Sequence, residues 1–130
     1  MLSLLRRKAR LLVLDDDTSM QKLMATLLRR EGHRVDVVSG GNQAIERLDT
    51  QEYDALLLDL MTPTEGGMTV IRHLREARPE MLRRVLVVTG SPDTVLKSIE
   101  GEVFDVVRKP FTPDELTGAI ARLLDANPRA

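Results

Sequence analysis

Residues 11–17 read LLVLDDD: four apolar residues in a row, then three acids. An unbroken apolar run of this length belongs to a strand buried on both faces, not to one with a wet side. Downstream, Met20, Leu23, Met24, Leu27 and Leu28 recur at helical spacing, with Asp17, Thr18 or Ser19 available as a cap and Gly32 as a stop. The alternation then repeats. Val35–Val38 is a second strand closed by Ser39-Gly40-Gly41, and Ala44, Ile45 and Leu48 mark a short helix. Ala55–Leu58 is a third run that stops at Asp59, and Thr62–Gly67, with a proline and two glycines, is a loop. Val70, Ile71 and Leu74 define a third helix ended by Pro79; Val85–Val88 is a fourth run that stops at Thr89-Gly90. Residues 93–100 suit a short helix, Val103–Val107 is a fifth run ending at Arg108-Lys109-Pro110, and Leu116, Ala119, Ile120, Leu123 and Leu124 complete a last helix. Five strand–helix units with doubly buried strands predict an α/β three-layer sandwich: a parallel five-stranded sheet, doubly wound, with helices on both faces. One domain over residues 9–126 is expected, with tails at 1–8 and 127–130.

Composition narrows the chemistry. The chain has 130 residues, enough to bury a core without a disulfide or structural metal. With no Cys, thiol catalysis, Cys-ligated zinc and iron–sulfur clusters are excluded. Lys and Arg total 19 against 20 Asp and Glu, a net charge of −1, which argues against direct nucleic-acid binding by this domain. The aromatics are Tyr53, Phe104 and Phe111 alone, too few for stacking on bases or sugars. No apolar run approaches the roughly 18–20 residues of a membrane span. The start, with Arg6, Arg7, Lys8 and Arg10 after Leu4 and Leu5, makes a poor signal peptide and reads as a solvated lead-in. A cytoplasmic protein with no membrane partner is expected.

In open α/β sheets, functional groups collect at the carboxyl ends of the strands. Here those ends carry Asp15, Asp16 and Asp17, then Asp59, then Thr89, then Lys109. Taken singly, each has an ordinary reading: the acids as turn and N-cap residues, Thr89 as a strand former, Lys109 as a solvated lysine. Together they are the parts of a phosphoryl site. Converging carboxylates repel unless a cation joins them, one lysine leaves a negative excess, and a hard divalent ion such as Mg²⁺ suits the oxygen donors. Metal, hydroxyl and ammonium can hold a PO₃ group while an aspartate serves as nucleophile. His33 and His73 stand isolated and read as surface residues, the methionines at 20 and 24 as core filler, and Gly40-Gly41 and Gly66-Gly67 as turns.

The segments LLVLDDD (11–17), LLLDLMTP (56–63), VLVVTG (85–90) and VVRKPF (106–111), in this order at successive strand ends, resemble the receiver domain of two-component response regulators across essentially the whole chain. The resemblance implies a flavodoxin-like fold with strand order 2-1-3-4-5. It implies Asp59 as phosphoacceptor, and Asp15 and Asp16 as the Mg²⁺-binding pair (Mn²⁺ being an alternative), with Asp59 and the Met61 backbone carbonyl completing the ligands. Thr89 is implied as the switch hydroxyl, Lys109 as the cation on the phosphoryl oxygens, Pro110 as the site of a cis peptide, and Gly90 as a position kept small for donor access. Asp17 has no metal role in the family and reads as a cap or surface acid. The implied partners are a sensor histidine kinase or phosphotransfer protein and a downstream effector or output domain. The implied state is a monomer or a dimer that forms on phosphorylation.

The chain departs from the family pattern in four places. Val106 occupies the switch-aromatic position, and Phe104, two residues earlier, has the same strand parity. The stretch from Thr89 to Lys109 is short by about two residues, implying a curtailed or irregular fourth helix. The loop LMTPTEGG (60–67) has Thr62 and Gly66 where Met and Asp are common. Met61 and Ser91, at positions that tune dephosphorylation, offer no strong group to orient a water, so slow self-dephosphorylation is expected. The expected function is that of a regulatory phosphoacceptor, not a metabolic enzyme. One rival is an aspartyl-nucleophile phosphohydrolase, opposed by Met61 where such enzymes need a second acid. The other readings are a receiver-like module that binds partners without phosphorylation and a receiver from a hybrid histidine kinase.

Overall fold

A computed structural model describes residues 8–60 and 66–128. The elements run β1 (Arg10–Leu14), α1 (Thr18–Arg30), β2 (Arg34–Val38), α2 (Gly41–Thr50), β3 (Ala55–Leu58), α3 (Gly67–Ala77), a 3-10 turn (Pro79–Arg84), β4 (Val85–Thr89), α4 (Asp93–Lys97), β5 (Asp105–Arg108) and α5 (Pro113–Ala126). The strands form one parallel sheet in the order β2-β1-β3-β4-β5.

Alternate strand residues feed two separate cores. Leu12, Leu14, Leu56, Leu58, Val85 and Val87 pack with Val70, Ile71 and Leu74 of α3 on one face. Leu11, Val13, Leu57, Leu86 and Val88 pack with Leu28 of α1 and with Leu116, Ile120 and Leu123 of α5 on the other. Leu11 through Leu14 are all 0% exposed, which is why the run could tolerate no polar residue. Each such leucine contributes roughly 1.5–3 kcal/mol of burial. Met24 is core, as its spacing suggested, but Leu23 lies on the solvent side of α1. Asp17 caps α1, accepting from the Ser19 and Met20 amides, and Gly32 turns the chain out of it at φ +94°. Thr112 and Glu115 form a reciprocal capping box at the start of α5, with Pro113 in the first turn.

Several expectations shift. His33 is buried, not on the surface: its Nδ1 accepts from the Ala9 amide at 3.1 Å, because the turn after α1 folds back beneath the start of β1. Arg10 is the first residue of β1, half-buried, and not part of a solvated lead-in. Pro79 does not merely end α3. It opens a 3-10 turn that drives Met81 and Leu82 into the core, a use of proline at a helical first position. Strand β5 begins at Asp105, so Val103 and Phe104 precede it. The parity argument therefore fails for Phe104, which packs on the α1/α5 face while Val106 packs on the α3 face. Helix α4 has only five residues, in keeping with the short span after Thr89. Arg75 of α3 reaches across to this irregular segment and forks onto Glu102 through Nε (2.7 Å) and Nη2 (2.5 Å). Among the described residues, no helix is long and apolar enough to cross a membrane.

Gly67, expected in a turn, is instead the first residue of α3. Its amide donates to the Asp59 carbonyl at 2.7 Å, and a Cβ there would lie 2.6 Å from that oxygen and 3.0 Å from Leu58 Cβ. Only glycine permits this approach, and the approach fixes the backbone of Asp59. Gly67→Ala should therefore destabilise the fold by about 1–3 kcal/mol in urea denaturation. Gly118→Ala, mid-helix in α5 with only the Arg122 side chain nearby, should stabilise it by about 0.5–1 kcal/mol. Equal effects of the two would contradict the packing.

Tyr53 is buried and donates to Asp36 Oδ2 at 2.6 Å. Burial, followed by the hydrogen bond to the Asp36 carboxylate and its charge, pushes the phenol from 10.0 up to about 12, with Arg47 pulling the other way. Folding thus favours the neutral phenol, and the resulting stability is present below pH 10 and lost as pH rises through about 12. With a single Tyr and no Trp in the chain, ultraviolet titration of phenolate should show one midpoint near 12, falling in Asp36→Asn. A midpoint of 10 in the intact protein would contradict this environment.

Candidate functional site

Parallel register alone brings the strand-end residues together. Leu14 of β1 pairs with Leu58 of β3, so Asp15 and Asp59, one residue on, emerge side by side. The ladder continues past the strands: the Asp59 amide donates to the Leu14 carbonyl at 3.0 Å, Asp15 to Val38 at 3.2 Å, and Lys109 to Thr89 at 3.0 Å. The side-chain amide of Gln21, from α1, donates to the Asp15 carbonyl and to Ser39 Oγ at 3.0 Å, tying the loops after β1 and β2 together.

Lys109 is the hub. Its Nζ donates to Asp15 Oδ2 at 2.6 Å and to Asp59 Oδ2 at 3.0 Å, joining residues 94 and 50 positions apart. The Asp15 side chain is 0% exposed and that of Asp59 11%, so the pair sits where an unpartnered carboxylate would be costly. Partial burial by itself pushes the Lys109 ammonium down. Hydrogen bonds and charge from Asp15 and Asp59 outweigh that and hold its pKa above the ordinary lysine value, so the cation is secure at neutral pH. The second Asp15 oxygen accepts from the Asp17 amide at 2.9 Å. The second Asp59 oxygen accepts from the Thr89 hydroxyl at 2.7 Å, and Thr89 is fully buried.

Asp16 is exposed and stands at the open rim. Carboxylate oxygens of Asp15, Asp16 and Asp59 lie within 4.8 Å of one another. Among the described residues, three carboxylates against one ammonium leave a negative excess, and an all-oxygen donor set with one solvent-facing member fits a hard cation. Gly90 is exposed, and a Cβ there would meet nothing within 4 Å, so the approach beside Thr89 is open. The Lys109–Pro110 peptide is cis. Val106 is half-buried at the α4–β5 seam, where with Leu96 and Arg108 it lines a cavity of about 360 Å³. The expected carbonyl ligand, Met61, lies outside the described residues.

Two residues carry more than the sequence suggested. Gly67 sets the Asp59 backbone through a contact that only the fold creates. Ser91 is buried and has its Oγ 2.9 Å from Thr89 Oγ1, while its amide donates to the same oxygen at 3.2 Å. The signal for Ser91 was its place two residues past Thr89, the offset at which a backbone amide turns back onto a hydroxyl.

Comparison with known proteins agrees with this geometry. A family model described as the response regulator receiver domain matches residues 11–121. The transcriptional regulatory protein TcrA of Mycobacterium tuberculosis is 34% identical over 119 residues, covering 92% of this chain and 47% of that protein. The DNA-binding response regulator MtrA of Mycolicibacterium smegmatis is 35% identical over 120 residues, covering 92% and 52%. The chain thus spans about half the length of these curated relatives. Among solved structures, the BeF3-activated DrrB receiver domain superposes with a TM-score of 0.77 at 29% identity, over 92% of this chain and 99% of that one. Register, acid cluster and family match converge on one assignment: the chain belongs to the response regulator receiver domain family.

Proposed function

We propose that this domain is a phosphoacceptor: it takes a phosphoryl group onto Asp59 from a phosphohistidine on a sensor histidine kinase or phosphotransfer protein. The observation that carries the reading is the convergence on Asp59 of Lys109 Nζ at 3.0 Å and the Thr89 hydroxyl at 2.7 Å. In the transfer, an Asp59 carboxylate oxygen forms the new O–P bond. The P–N bond breaks, and its electron pair returns to the imidazole nitrogen. Lys109 and Thr89 already address the two Asp59 oxygens, so they stand beside the reacting centre and meet the phosphoryl oxygens with charge and a hydrogen bond. Asp15 holds Lys109 in place. Asp15, Asp16 and Asp59 are the side chains that would hold Mg²⁺, with Met61 as the family's carbonyl ligand. The ion supplies Lewis-acid neutralisation of phosphoryl charge.

The domain thereby assists its own modification without turning over a metabolite. Its modified state is read by an effector or by an output domain in the same chain, in the cytoplasm. The named relatives include a DNA-binding response regulator, which makes a DNA-binding output one such reader. The five-residue α4 and Val106 favour a second reading, a receiver-like module that binds its partner without phosphorylation.

Incubation with a small acyl-phosphate donor and Mg²⁺, followed by intact-mass measurement, should add one phosphoryl group, absent in Asp59→Asn and in a donor-free control. The adduct should decay over minutes or longer, since the Ser91 hydroxyl is engaged with Thr89 and not free to orient water. No adduct with donor or cognate kinase would leave the phosphorylation-independent reading. Separately, millimolar Mg²⁺ should raise the thermal unfolding midpoint of the intact protein by binding the folded state. Asp16→Asn should abolish that rise, and an undiminished rise in the variant would place the ion elsewhere.

A further inference from the structure

We propose that Ser91 is a positioning residue that presets the Thr89 hydroxyl toward Asp59 before any phosphoryl group arrives, in place of a switch driven by an aromatic side chain. A threonine hydroxyl has one proton and two lone pairs. Asp59 Oδ1, 2.7 Å away, is a carboxylate oxygen that only accepts, so it takes the Thr89 proton. Both lone pairs then face Ser91, one accepting from its amide at 3.2 Å and the other from its hydroxyl at 2.9 Å. That assignment makes Ser91 Oγ the donor. Every hydrogen-bonding valence of the Thr89 hydroxyl is filled, in a pocket where Thr89 is 0% and Ser91 5% exposed. Rotation about χ1 of Thr89 would break three bonds at once in this buried setting. Nothing at position 106 offers a compensating hydroxyl or ring, because Val106 is aliphatic and packs into the α3-side core. The hydroxyl is therefore held where a phosphoryl oxygen on Asp59 would need it.

The rate arm of the following test rests on Asp59 being the phosphoacceptor; the rotamer arm does not. Three-bond couplings from the Thr89 γ-methyl to its backbone nitrogen and carbonyl carbon, measured by NMR on the unmodified protein, should report a single χ1 rotamer. That rotamer should persist when a beryllofluoride mimic of the phosphoryl group is added. Ser91→Ala should average the couplings and slow phosphorylation by the small donor about five-fold, the population effect of losing one neutral hydrogen bond. Ser91→Thr, which keeps the hydroxyl, should restore both. Circular dichroism of each variant checks that it folds. A single unchanged rotamer in Ser91→Ala, or averaged couplings already in the wild type, would overturn the proposal. A wild type that takes no phosphoryl group, yet has one rotamer that Ser91→Ala releases, would sustain the Ser91 lock while sinking the phosphoacceptor reading.

Discussion

A single ammonium group between two buried carboxylates organises this protein. Lys109 Nζ lies 2.6 Å from Asp15 and 3.0 Å from Asp59, and those three residues end three different strands. Neither acid has the solvent exposure to remain charged alone at modest cost, and two such charges side by side would repel. The lysine resolves both problems, and the parallel register makes the resolution possible by ending β1 and β3 in step. Much of the surrounding structure serves that alignment: Gln21 pins the loop after β1, Asp17 starts α1 directly behind the acids, and Gly67 clasps the Asp59 carbonyl.

The two-sided core follows from the same geometry. With strand residues pointing alternately to the α1/α5 and α2/α3 faces, the inner strands β3 and β4, and β1 after Arg10, had to be apolar until they stop, whereas the edge strands β2 and β5 carry polar residues such as Asp36 and Asp105. The site is thus the edge of the core, where a charged residue escapes burial only in part. Its residual negative excess, set by Asp16 at the rim, is what makes the edge attractive to a cation. The near-zero net charge of the chain conceals this local imbalance.

The region from Thr89 to Lys109 is where the chain is least regular. A five-residue α4, a turn through Gly101 at φ +85°, and the Arg75–Glu102 fork replace a longer helix. Phe104 and Val106 divide between the two faces, so neither simply stands in for the other. Against that background Thr89 and Ser91 form a buried, hydrogen-bonded hydroxyl cluster at the start of the segment. It joins β4 to the acid site by hydrogen bonds and not by aromatic packing.

The sequence by itself determined the strand and helix order, the doubly buried character of the inner strands, and the acids, hydroxyl and lysine at the strand ends. These are local properties: apolar run length, helical spacing, and the residue type that terminates each run. It also carried the family resemblance, which the family model and the relatives bear out. Tertiary structure decided what depends on distance between remote residues. That His33 is buried follows from a turn packed under β1, and that Phe104 and Val106 part company follows from where β5 begins. The 3-10 turn at Pro79–Arg84 exists because Met81 and Leu82 find core to fill. The need for glycine at position 67 arises from a carbonyl eight residues earlier that the fold brings to 2.6 Å of its missing Cβ. The role of Ser91 emerges only when burial removes water as a competitor for the Thr89 hydroxyl. Composition and spacing name the groups; close packing sets which of them must answer to each other.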